Sequence, residues 1–200
     1  MDSRLWEGFH ESFPKKQSYF VNLGFINNGD NVSSIPFDSK SIFITHSLGT
    51  LWALKYHSHN MAGLISINGF VNFRNFVDKR NLLAMQKQLQ RNPEQQMQDF
   101  WDMINFKNDL DQNLNIDKLH EGLEWLINWD MSAKLSDLNI PILSLMGDED
   151  RLLPLPKMEK EWLMADIKIM KNGGHILPLS HSKWCVEKIR EFIVEYKLET

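Results

Sequence analysis

Residues 41–49 read Ser41-Ile42-Phe43-Ile44-Thr45-His46-Ser47-Leu48-Gly49, and the fold turns on them. Ile42, Phe43 and Ile44 are apolar without alternation, the pattern of a strand covered on both faces in a parallel sheet. Leu51, Trp52, Leu54, Lys55 and Tyr56 then read as a helix. A serine between such a strand and helix sits on a tight turn. Its hydroxyl is pushed above the sheet edge, and the next backbone N–H is placed to hold an oxyanion. A Ser-x-Gly triplet occurs by chance about once in a chain of this length. The plainer alternative makes Ser47 the N-cap of the following helix, so its meaning depends on the rest of the chain.

Upstream, Leu5, Trp6, Phe9 and Phe13 share a helical face, with Asp2 or Ser3 as N-cap. Tyr19–Leu23 predicts a short strand, ended by Gly24 and the loop Asn27-Asn28-Gly29-Asp30. Downstream, Gly63–Ile67 predicts another strand, so strand, helix and strand make a parallel crossover. Residues 71–135 hold no strand pattern. Within them Asn92-Pro93-Glu94-Gln95 is a helix start, with Asn as cap, Pro in the first turn and Gln reaching back. It divides an amphipathic stretch (Leu82, Met85, Leu89) from a second (Met97, Phe100, Trp101, Ile104). A third carries Ile116, Leu119, Leu123, Leu126 and Ile127.

Alternation then resumes with a strand at Pro141–Met146, the loop Gly147-Asp148-Glu149-Asp150, a helix near 156–164 and a strand at Ile167–Met170. The last helix turns Trp184, Ile189, Phe192, Ile193 and Tyr196 inward. The expectation is an α/β fold, a mostly parallel sheet flanked by helices. Residues 1–70 and 136–200 form its core, and 71–135 an inserted helical lid.

Composition narrows the function. With 22 Lys and Arg against 26 Asp and Glu, the net charge of −4 gives no broad basic face for nucleic acid. The single Cys185 excludes a disulfide scaffold. No apolar run is long enough to span a bilayer, and Met1–Glu7 carries no apolar leader-like run, so a cytoplasmic protein is expected. No Cys/His cluster has zinc-ligand spacing and no Gly-rich loop fits a phosphate, so neither metal nor cofactor is expected.

A serine nucleophile needs a base, and the base needs a carboxylate to orient it. In a parallel sheet both belong just past the C-terminal ends of later strands. Asp148, Glu149 and Asp150 follow the strand ending at Met146, and His175 follows the strand ending at Met170 in Gly173-Gly174-His175. The chain order Ser, Asp, His is that of a nucleophile-elbow hydrolase. Among the seven histidines, His46 adjoins the serine on a turn where side chains diverge, which makes it a wall residue. His57 and His59 lie at a helix end, where the dipole favours them. His10 and His120 fall on amphipathic helix surfaces, and His181 is the rival base. Asp130 is the rival acid, with capping of a helix at Ser132–Leu135 as its plainer role.

On Ile44–Gly49, on Pro141–Asp150 with Leu153-Pro154, and on Gly173-Gly174-His175, the chain resembles the α/β-hydrolase family. The resemblance implies Ser47 as nucleophile, Asp150 as triad acid, His175 as base and Leu48 N–H as an oxyanion donor, with His46 and Leu48 against the substrate. Met85–Leu89 and Leu119–Leu126 are similar to the cap of the methyl ester esterases that act on pimeloyl-acyl-carrier protein in biotin synthesis. That branch implies a small-molecule ester or a carrier-protein-linked acyl ester as substrate. A general short-chain esterase, thioesterase or lipase-like hydrolase, and a non-catalytic ligand-binding protein, remain the alternatives.

Departures accompany the resemblance. Thr45 and His46 stand where that branch has glycine and tryptophan, and the cap's basic residues are few (Lys79, Arg80, Lys87, Arg91). Family members also carry a strand and a His-Gly turn ahead of the first helix, and Met1–Trp6 resembles the text just after that turn. The expectation is sequence upstream of Met1, or a chain lacking one oxyanion donor at a cost of about 100–1000-fold in rate.

Overall fold

A computed structural model describes residues 3–9, 11–13, 18–26, 29–37, 39–107 and 113–198. Among these residues, four parallel strands pair in the order β1 (Ser41–His46), β2 (Met61–Ile67), β3 (Ile142–Gly147) and β4 (Asp166–Met170). Helix α1 (Leu48–His57) connects β1 to β2. Between β2 and β3 run α2 (Lys79–Arg91), α3 (Pro93–Met103), α4 (Ile116–Asn128) and the short α5 (Ser132–Ser136). Helix α6 (Leu155–Glu161) precedes β4, and α7 (Leu177–Ser180) and α8 (Ser182–Glu195) follow it.

Strand alternation explains the layering. On β2 and β3, Leu64, Ile142 and Met146 join an apolar cluster with Leu51 and Leu54 of α1 and Met158 of α6. Ile65, Ile67, Leu143 and Leu145 point the other way, onto Cys185, Val186, Ile189 and Phe192 of α8. Both faces are covered, which is why these strands read as nearly unbroken apolar runs. Burial pushes the Cys185 thiol up to about 12, so it acts as a small apolar side chain of that core.

Four expectations change. Residues 3–9 form a 3-10 helix, with Leu5 in the α1-side cluster and Phe9 in the α8-side one, so the apolar residues do not share a single face. Ser3, one of the two caps proposed, is the first residue of that helix, while Asp2, the loop residues Asn27 and Asn28, and His10 lie outside what is described. Tyr19–Leu23 is a loop. Asn31 Nδ2 donates to Phe20 O (2.8 Å) and Asn31 Oδ1 accepts from Asn22 N (2.7 Å), so side-chain amides take the bonds a neighbouring strand would make. Asn22 Oδ1 then accepts from Gly24 N (3.0 Å), where φ is +78°. Gln95 does not reach back: Asn92 Oδ1 caps its backbone N–H (3.2 Å), and its side chain donates forward to Asp99 (2.7 Å). Tyr196, expected inward, is 43% exposed.

Candidate active site

The site is assembled by the C-terminal ends of the strands, beginning with Ser47. Its backbone stands at φ 52°, ψ −126°, a region that L residues seldom occupy. The turn is pinned by its N–H on Ile67 O (3.1 Å). Below it, Thr45 Oγ1 donates to Ile65 O (3.1 Å) and lies 2.8 Å from Thr50 Oγ1, itself 3.1 Å from Ser66 Oγ. Thr45 is therefore accommodated by a buried hydroxyl chain. Gly69 makes room for that chain, since a Cβ there would lie 2.0 Å from Thr50 Oγ1. Leu48 is the first residue of α1, so its N–H has no acceptor within the helix and lies at the positive end of the helix dipole.

Asp150 is selected from its acidic neighbours by burial. Asp148 and Glu149 are exposed, whereas Asp150 is 7% exposed. Its Oδ1 accepts from Leu152 N (2.9 Å) and Leu153 N (3.0 Å). Its Oδ2 lies 2.8 Å from His175 Nδ1. With Oδ1 taken by two backbone donors, Oδ2 is the acceptor and Nδ1 the donor of this bond. Nε2 then faces Ser47 Oγ at 3.0 Å as an acceptor. Serine, imidazole and carboxylate thus form one chain of hydrogen bonds, the arrangement that lets imidazole take a hydroxyl proton.

The loops that carry acid and base touch directly. Glu149 N donates to Gly173 O (2.9 Å), and a Cβ on Gly147 would lie 2.2 Å from that same oxygen. Only glycine allows this approach.

The rivals are placed elsewhere. Asp130 caps α5 by accepting from Ser132 N (2.9 Å) and also accepts from Asn72 Nδ2 (2.7 Å); bonding to Ser132 first, then to Asn72, holds its carboxyl below the usual range. His181 Nδ1 pairs with Ser180 Oγ (2.9 Å). His57 stacks on Phe37 with centroids 3.8 Å apart, and burial, then His59, lowers its pKa, so packing outweighs the dipole there. His59 is exposed and His120 half-buried on α4.

His46 is turned inward. The residue is 6% exposed and its Nε2 lies 2.8 Å from His175 O. The side chain of Leu48 lies below α4, where a Cβ on Gly122 would be 3.5 Å from Leu48 Cδ2.

Asn68, the residue immediately after β2, was not among the candidates the sequence offered. It is 1% exposed at φ 41°, with Nδ2 donating to Gly174 O (2.8 Å) and His175 O (2.9 Å) and Oδ1 accepting from Gly147 N (3.0 Å). Its signal was an asparagine at the carboxyl end of a central strand, a residue type that tolerates positive φ. Among the described residues no group of acidic, His and Cys side chains could hold a metal, and no helix is long and apolar enough to cross a membrane.

The fold recurs in solved structures. An esterase from Exiguobacterium antarcticum superposes with a TM-score of 0.76 at 12% identity, covering 96% of this chain and 88% of that one. A bromoperoxidase from Bacillus anthracis gives 0.75 at 12% identity, covering 97% and 88%. The chain has the α/β-hydrolase fold. In sequence it is 31% identical over 84 residues to the pimeloyl-[acyl-carrier protein] methyl ester esterase of Xylella fastidiosa (strain M23), covering 40% of this chain and 33% of that protein. It spans about a third of the length of the curated relatives it matches. No family model matches it.

Proposed function

We propose that this chain is a serine carboxylic ester hydrolase. The observation that carries the reading is the continuous chain Ser47 Oγ, His175 Nε2, His175 Nδ1, Asp150 Oδ2, with both gaps at hydrogen-bond length. His175 takes the Ser47 proton as Oγ attacks the ester carbonyl. Leu48 N–H stabilises the oxyanion, and His175 then protonates the departing alcohol. A water activated by the same imidazole releases the acid. Asp150 holds the tautomer throughout. Residues 71–135 act as the lid above Ser47, with Leu48 and α4 against the acyl chain.

The partial likeness to pimeloyl-[acyl-carrier protein] methyl ester esterases supports that methyl ester, in biotin synthesis, as the substrate. A general short-chain esterase is the second reading. It is favoured by the cap's electrostatics, because Arg80 is engaged by Asp78.

Turnover of p-nitrophenyl acetate that disappears in Ser47→Ala, with stability nearly unchanged, is the expected result; retained turnover would place the nucleophile elsewhere. Complementation of a biotin-requiring strain lacking its methyl esterase separates the substrates. Growth supports the carrier-protein ester, and no growth with good p-nitrophenyl turnover supports the short-chain reading.

A further inference from the structure

Two buried side chains from different strands converge on one main-chain atom beside the imidazole. His175 O accepts from Asn68 Nδ2 at 2.9 Å, and His46 Nε2 lies 2.8 Å from it. A carbonyl can only accept, so His46 Nε2 carries the proton. Burial first, then the neighbouring His175, lowers the His46 pKa to about 3, so its ring stays neutral near neutral pH. Asn68 joins three pieces of the site, because it also bonds Gly174 O and Gly147 N.

The loop needs such an anchor. Gly173 and Gly174 precede His175, giving the main chain wide freedom, and only the four-residue α7 follows shortly after. Without a fixed carbonyl, loop rotation would swing Nε2 away from Ser47 Oγ.

We propose that Asn68 and His46 are positioning residues for His175, gripping its carbonyl so that the imidazole stays aligned between Asp150 and Ser47. This rests on His175 being the base of the hydrolase proposed above. It moves His46 from the substrate wall to the support of the base.

Asn68→Asp keeps the size and the acceptor for Gly147 N–H but turns an oxygen toward two carbonyls. His46→Phe keeps bulk and removes a donor, and His46→Gln restores one near the Nε2 position. The readouts are kcat and KM for p-nitrophenyl acetate, and the far-downfield proton resonance of His175 Nδ1–H. With misplacement of about 1 Å costing as much as 100-fold, kcat should fall about 10–100-fold in Asn68→Asp and about 10-fold in His46→Phe. KM should stay within about 3-fold, since neither group is placed on the substrate. The resonance should broaden or vanish in both, and His46→Gln should recover most of the lost kcat.

Folded Asn68→Asp and His46→Phe proteins with native kcat and an unchanged resonance would overturn the proposal. If Asn68→Asp fails to fold, the two His46 variants decide it. A wild-type protein without esterase turnover, whose resonance still responds to these substitutions, sinks the hydrolase reading while supporting the positioning one. Undiminished turnover in His175→Ala sinks both.

Discussion

Ser47 and His46 are neighbours that each carry an energetic cost, one in its backbone and the other in its burial. At φ 52°, ψ −126°, Ser47 holds a conformation costing about 1–3 kcal/mol for a residue with a Cβ. Ser47→Gly should therefore abolish hydrolysis yet raise stability by about 1 kcal/mol over Ser47→Ala, after allowing for glycine's freedom in the unfolded chain. Urea unfolding compares them, and equal midpoints would mean that the turn is unstrained. His46 has an unfolded pKa of 6.5 and a folded pKa of about 3. Between those values the unfolded chain binds a proton that the folded one refuses. Its neutral burial is fully tolerated above pH 6.5, and stability is lost as pH falls toward 3, by at most about 1.4 kcal/mol per pH unit. His46→Gln removes that titration, so its stability between pH 7 and pH 5 should decline less steeply than the wild type's. Parallel slopes in urea titrations at the two pH values would refute the neutral, buried ring.

At the scale of elements, the site depends on how closely the loops after β3 and β4 approach. A Gly147→Ala Cβ would meet Gly173 O at 2.2 Å and Gly173 C at 2.6 Å, both backbone atoms that cannot rotate away. Overpacking of this kind costs about 1–3 kcal/mol, and displacing Asp150 from His175 should lower kcat about 100-fold. Denaturant midpoint and kcat measured together test this, and a stable, fully active Gly147→Ala would mean that the loops are not in contact. Much of this arrangement was legible in advance. The runs at 41–45, 63–67 and 141–146 had no polar alternation because both faces are covered, and the loop positions of Asp150 and His175 followed from strand ends. Tyr19–Leu23 misled because its apolar residues look like a strand, while its hydrogen bonds go to Asn31, nine or more residues away. The support of His175 was hidden for the same reason. Asn68 and His175 are 107 positions apart, and no local pattern encodes their pairing.

Across the whole molecule, stability should be graded outward from the sheet. β2 and β3 are the central strands, and their side chains enter both apolar clusters, so their amides open only when both layers separate. Helix α4 packs on α1 and on α2, burying Leu123, Trp125 and Ile127, which ties it to the sheet at one remove. Helix α3 packs on α2, buries only Gln96, Met97 and Trp101, and exposes most of its polar face. Each step from sheet to α4 to α3 offers less apolar area to offset the entropy of ordering the chain. Native-state hydrogen exchange should therefore rank protection as β2 and β3 first, α4 next and α3 last, with α3 opening well below the global unfolding free energy. That order also suits the proposed hydrolase, whose proposed lid would admit substrate while the loops of Asp150 and His175 hold still. Amides of α3 exchanging as slowly as those of β3 would show instead that the helices between β2 and β3 unfold only with the sheet.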